Sequence, residues 1–110
     1  MNVKKIVLSY ISENCYLVST DKTAIVIDPG CYDERIEDFL VSNQNKERMI
    51  LLTHCHFDHI GATKRLSELS GVKIGIGKLD NKGLSDADIN LSTLFGQNIS
   101  PFNADVLFED

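Results

Sequence analysis

The sequence predicts an α+β fold: one mixed sheet with helices on one face. Three observations carry this reading. Short β-rich runs alternate with two amphipathic helical patterns along 110 residues. Two of the runs, "AIVI" and "MILL", are continuously apolar, as strands buried on both faces are. The helical patterns beginning at Asp33 and Ala62 suffice to cover one side of such a sheet, and no comparable pattern covers the other. The length suits a single domain spanning residues 1–110.

The elements follow in order. Residues 3–9 mix β-formers with Lys4 and Lys5. Ser9, Ser12, Glu13 and Asn14 interrupt the apolar stretch, so a first strand is expected there in place of a signal peptide. "CYLVS" (15–19) and "TAIVI" (23–27) flank Thr20-Asp21-Lys22, which predicts a hairpin. Asp28-Pro29-Gly30 stops the second of these strands, because proline has no N–H for a ladder and glycine allows a tight turn. A helix is expected over 33–42, with Ile36, Phe39 and Leu40 on one face and acidic residues in its first turn. "RMILL" (48–52) is a strand. A second helix is expected over 62–70, with Ala62, Leu66 and Leu69 facing inward and Gly71 as its C-cap. "VKIGI" (72–76) returns to strand. Residues 78–103 predict a long loop with short helical pieces, and "ADVLFED" reads as a strand entering a turn. The chain therefore reads as a half-fold whose second sheet face wants a partner. The alternative is that residues 78–103 fold back over that face.

Composition narrows the function. A net charge of −5 with dispersed lysines and arginines excludes a nucleic-acid surface. No apolar run approaches the roughly 20 residues of a membrane span. Cys15, Cys31 and Cys55 form no paired spacing, which together with the absent signal peptide points to the cytoplasm.

All three histidines fall in "LTHCHFDH". In an extended segment alternate side chains point the same way, so His54 and His56 reach one ion while Cys55 and Phe57 turn into packing. If the chain then turns into the helix at Ala62, Asp58 and His59 face a second ion nearby, with Gly61 allowing a close bend. Imidazole and carboxylate donors suit Zn²⁺, and also Fe or Mn. Two such ions share a hydroxide and stabilise a developing oxyanion, which is hydrolysis without a Ser or Cys nucleophile. A lone histidine is more often a packing residue, but four donors at this spacing are not that case. Cys55, on the opposite side, reads as a small buried apolar residue.

"THCHFDH" resembles the His-x-His-x-Asp-His signature of the metallo-β-lactamase fold superfamily. "NCYLV" (14–18), "AIVIDPG" (24–30), "ILLTHCHFDHIGA" (50–62) and "NLSTLFG" (90–96) recur in this order in its small members, and look most like the hydroxyacylglutathione hydrolase (glyoxalase II) group. The resemblance implies an αββα sandwich, of which this chain is the N-terminal half. It implies that His54 and His56 bind a first zinc, and Asp58 and His59 a second. Asp58 also stands as the candidate catalytic residue, and a metal-bound hydroxide attacks a thioester or ester of a small-molecule substrate. Asp28 matches a position that supports the site; as a plain turn-former it fits equally well. Full members add a third histidine to the first ion, a bridging aspartate and a last histidine. No histidine follows His59, so the chain reads as truncated and its site as incomplete. A flavodiiron-like oxidoreductase would place a glutamate at His56, and histidine there argues for a hydrolase. The competing reading is a non-catalytic metal-binding half-domain whose copies pair as a homodimer over the exposed sheet face.

Overall fold

The computed structural model of the chain describes residues 1–8 and 13–109. Among these, six strands form one mixed sheet in sequence order: β1 (Asn2–Leu8), β2 (Glu13–Ser19), β3 (Thr23–Ile27), β4 (Glu47–Leu52), β5 (Lys73–Gly77) and β6 (Val106–Phe108). The first three pair antiparallel and the last four pair parallel. Ser9, expected to end the first strand, lies outside the described residues. The β2–β3 hairpin closes through Thr20, whose hydroxyl accepts from the Thr23 and Lys22 N–H groups at 3.0 and 3.2 Å. A two-residue turn cannot join parallel strands, so β3 and β4 are connected through helix α1 (Glu34–Ser42), and β4 and β5 through α2 (Phe57–Ile60) and α3 (Thr63–Ser70).

Helix α1 starts at its cap Asp33, whose carboxylate accepts from the Arg35 N–H at 2.8 Å. It buries Ile36 and Leu40, with Phe39 partly covered. Helix α3 ends at Gly71, at φ 72°, a left-handed conformation that glycine adopts without steric cost. Two expectations need correction here. The turn before α3 contains a helical turn of its own, α2, too short to show periodicity. Leu69 is 58% exposed, not buried. Ala62 caps α3 from outside its helical turns, so the buried stripe is set by Thr63 and Leu66. At 100° per residue its centre lies roughly 90° from Leu69.

Register explains the core. Ile6 faces Cys15, Leu17 faces Val26, Val26 faces Ile50, and Ile50 faces Ile74, so one sheet face carries a continuous apolar row. Ile36, Leu40, Ile60 and Leu66 cover that row from the helices. Residues 78–103, with a 3₁₀ segment at Lys78–Ser85, pack on the same side through Leu84 and Phe102. They do not fold over the second face. That face, carrying Val3, Val7, Ile25, Ile27, Met49 and Leu51, stays partly open, with Val3 and Val7 about half exposed. The "AIVI" and "MILL" runs are thus buried on alternate residues only.

Helix α2 sits against the turn after β3. The Ala62 N–H donates to the Pro29 carbonyl at 2.9 Å, and a Cβ on Gly61 would fall inside the van der Waals shell of the Gly30 carbonyl oxygen. Gly77 has open space at the same position. Gly61→Ala is therefore expected to destabilise the fold by about 3 kcal/mol or more, whereas Gly77→Ala should stay within about 0.5 kcal/mol of the parent. Urea unfolding of both variants checks this; equal stabilities would contradict the packing described.

Candidate metal centre

Strand β4 ends at Leu52, the chain bends at Thr53, and the backbone is extended again at His56, the N-cap of α2. The bend shifts the alternation by one residue, so that Leu52 and Cys55 are both buried, Cys55 beside Gly83, while His54 is half-buried and His56 exposed. The Cys55 thiol is pushed up by burial and then by Asp80, and its side chain packs in the core against Gly83. At Phe57 the N–H donates to the Asn90 carbonyl at 2.8 Å. That bond starts α2 at a fixed place, and its single turn swings Asp58 and His59 back toward His54.

The result is a cluster at the end of β4. The His54 and His59 ring centroids are 4.0 Å apart, and His54 and His56 meet edge to face at 4.9 Å. One donor atom each from His54, Asp58 and His59 lie within 4.8 Å of one another. His59 Nε2 stands 3.7 Å from Asp58 Oδ2. His56 is the outermost, exposed at the N-cap of α2. Burial, then the neighbouring His59 and His56, hold the His54 imidazole below its usual value, which favours the neutral form a metal needs.

Asp28 lies beneath the cluster, buried, with its backbone at φ 56°. Its Oδ1 accepts from the Thr53 N–H at 2.8 Å, and its Oδ2 from the Thr53 hydroxyl at 2.6 Å. The same Oδ2 is 2.9 Å from His59 Nδ1, which must carry the proton of that bond. With Nδ1 engaged, His59 turns Nε2 toward Asp58. The donor set therefore fits a divalent ion: neutral imidazole nitrogens and a carboxylate, with an orienting carboxylate behind them.

Three participants escaped the sequence reading. Thr53 adjoins the motif but carries no ligand chemistry. Asn90 lies in "NLSTLFG", and only the fold shows that it anchors α2. Glu13 is the third. It alternates with Cys15 and Leu17 on the inner face of β2, and that inward position was the available signal. Its Oε1 is 3.2 Å from His59 Nδ1, and no well-formed hydrogen bond reaches either oxygen among the described residues. Burial, then the charges of Asp28 and Asp58, raise its pKa from 4.5 to about 8.

Comparison with known proteins places this geometry. The metallo-beta-lactamase superfamily profile matches residues 10–109. The hydroxyacylglutathione hydrolase GloC of Haemophilus influenzae is 34% identical over 110 residues, covering 98% of this chain and 52% of that protein. The crystal structure of BLEG-1, a B3 metallo-beta-lactamase, superimposes with a TM-score of 0.82 at 33% identity, covering 97% of this chain and 53% of that one. TTHA1623, solved in a di-iron-bound form, gives a TM-score of 0.75 at 32% identity, covering 96% and 54%. The chain spans about half the length of these relatives.

The buried glutamic acid has a consequence for stability without metal. Between pH 4.5 and about 8 the folded state keeps a proton that the unfolded state releases. Its contribution is therefore fully present below pH 4.5 and is lost as pH rises through about 8. Glu13→Gln removes that proton from both states. Thermal melts of the metal-free protein at pH 5 and pH 8 should show the variant gaining on the parent at the higher pH; parallel shifts would refute this.

Proposed function

The chain belongs to the metallo-beta-lactamase superfamily, and from that premise we propose that it supplies the ligand-rich half of a metal-dependent hydrolase of thioesters or esters. The observation that carries the reading is the gathering of His54, Asp58 and His59 donor atoms within 4.8 Å, with His56 beside them. The similarity to a hydroxyacylglutathione hydrolase supports an S-acyl glutathione as the substrate class. Zinc suits the nitrogen and oxygen donors best; iron, present in TTHA1623, suits them next.

In this reading His54 and His56 hold one ion, and Asp58 and His59 a second. Bound ions there supply Lewis acidity toward the carbonyl and a water activated at neutral pH. The chain's residues do the rest. His59 is held by Asp28 with Nε2 outward. Asp58, with 40% of its side chain exposed, faces the mouth of the site, where its carboxylate can orient the attacking water. Cys55 takes no part. Catalytic zinc normally has three protein ligands, and two histidines at the first position fall short. Full activity then needs donors from outside these residues.

A second reading draws on the open sheet face: copies pair over it, and the ions are structural. Light scattering after gel filtration separates the two, since a monomer at tens of micromolar ends the pairing idea.

Zinc titration followed by desalting and metal analysis is the direct test. Bound zinc is expected, and His54→Ala or His59→Ala should weaken it by more than the roughly 10- to 100-fold that loss of a supporting outer-shell group costs, because a ligand itself is removed. Hydrolysis of S-lactoylglutathione should be slow, require added metal and fall further in Asp58→Asn. No uptake by the parent chain would overturn the metal assignment.

A further inference from the structure

We propose that Thr53 is a positioning residue: its hydroxyl fixes the tautomer of His54 and ties that ring to the carboxylate that fixes His59. This rests on the metal site proposed above and adds to it how one buried group orients two ligands.

The assignment follows from proton counting. A hydroxyl has one proton and two lone pairs. Thr53 Oγ1 is 2.6 Å from Asp28 Oδ2, and an ionised carboxylate only accepts, so the hydroxyl proton goes there. Thr53 Oγ1 is also 3.0 Å from His54 Nδ1. Only a lone pair remains for that contact, so Nδ1 of His54 must carry the hydrogen. Its Nε2 is then the bare nitrogen, free for an ion. The hydroxyl cannot turn away readily, because the Thr53 N–H is bonded to the other oxygen of the same carboxylate at 2.8 Å. Asp28 Oδ2 meanwhile accepts from His59 Nδ1 at 2.9 Å. One carboxylate, 5% exposed, thus sets His59 directly and His54 through Thr53.

His56 provides an internal control. Among the described residues it makes ring contact with His54 but no hydrogen bond of this kind. Its tautomer should not respond to Thr53. Thr53 itself is exposed, so substitution there leaves the core intact.

The test uses metal-free protein with ¹⁵N-labelled histidine, read by imidazole NMR. His54 and His59 should both show the Nδ1–H form. Thr53→Val keeps the side-chain volume and removes the hydroxyl; it should move His54 toward the Nε2–H form and leave His59 and His56 as they were. Thr53→Ser should restore the parent pattern. Zinc affinity, measured against a chromophoric chelator, should fall about 10- to 100-fold in Thr53→Val and recover in Thr53→Ser. An Nε2–H form of His54 in the parent overturns the proposal. So does an unchanged His54 in Thr53→Val, or a Thr53→Ser that behaves like Thr53→Val. The NMR arm needs no metal, so failure of the parent to bind zinc would count against the metal reading alone.

Discussion

The carboxylate of Asp28 accepts three hydrogen bonds, and the geometry of the cluster depends on them. They arrive from the Thr53 backbone, the Thr53 hydroxyl and the His59 ring. Those partners belong to the end of β4 and to α2, whereas Asp28 belongs to the end of β3. The parallel β3–β4 pairing is what sets the two strand ends side by side. The Asp28 N–H, donating to the Leu51 carbonyl at 3.1 Å, carries that pairing one residue past β3. The left-handed backbone at Asp28 then aims its side chain at Thr53. Aspartate is among the few residues other than glycine that tolerate this conformation. The turn behind it leaves room for α2 only because Gly61 has no side chain to strike Gly30.

The same compactness creates an electrostatic tension. Glu13, Asp28 and Asp58 all approach His59, and the first two are buried. Asp28 is compensated by its donors. Glu13 is served less well, by the His59 ring at 3.2 Å and the Gly30 backbone, and neutrality is the form in which such a buried carboxyl costs least. A cation at His54, Asp58 and His59 would lower that cost, because positive charge nearby favours the ionised form. The acidic surroundings of the cluster thus oppose the metal-free fold and favour the metal-bound one. This is the pattern expected where stability is given up locally for binding.

Much of this was legible in the residues. Period-2 alternation separated His54 and His56 from Cys55, and the apolar runs marked the central strands. Asp-Pro-Gly and Gly71 placed two chain reversals. Contacts between segments distant in the sequence were not legible. Thr53 acts through a strand 25 residues earlier, and Glu13 through a helix that follows it by more than 40. Neither has a local signature, because each matters only once β2, β3 and β4 are adjacent. The single turn of α2 is too short for a 3.6-residue period. Leu69 misled because it lies only about 60° from Leu66, while the buried arc of α3 extends from Leu66 the other way, toward Thr63.

The half-exposed sheet face and the short ligand list describe one shortage. Strands β3, β4 and β5 run parallel, and such strands are ordinarily covered on both sides. Here the helices and residues 78–103 all lie on one side. The cluster of His54, Asp58 and His59 lies where β4 ends, at the carboxyl edge of the parallel strands, where open sheets of this kind collect their ligands. A layer packed on the second face would bury Ile25, Ile27, Met49 and Leu51. The loops of that layer at this edge would also stand over His54, His56, Asp58 and His59. Covering the sheet and completing the coordination sphere are therefore tasks that one added layer can perform together. Because Asp28 already holds His59 and Thr53 in place, such a layer would need to bring only further donors.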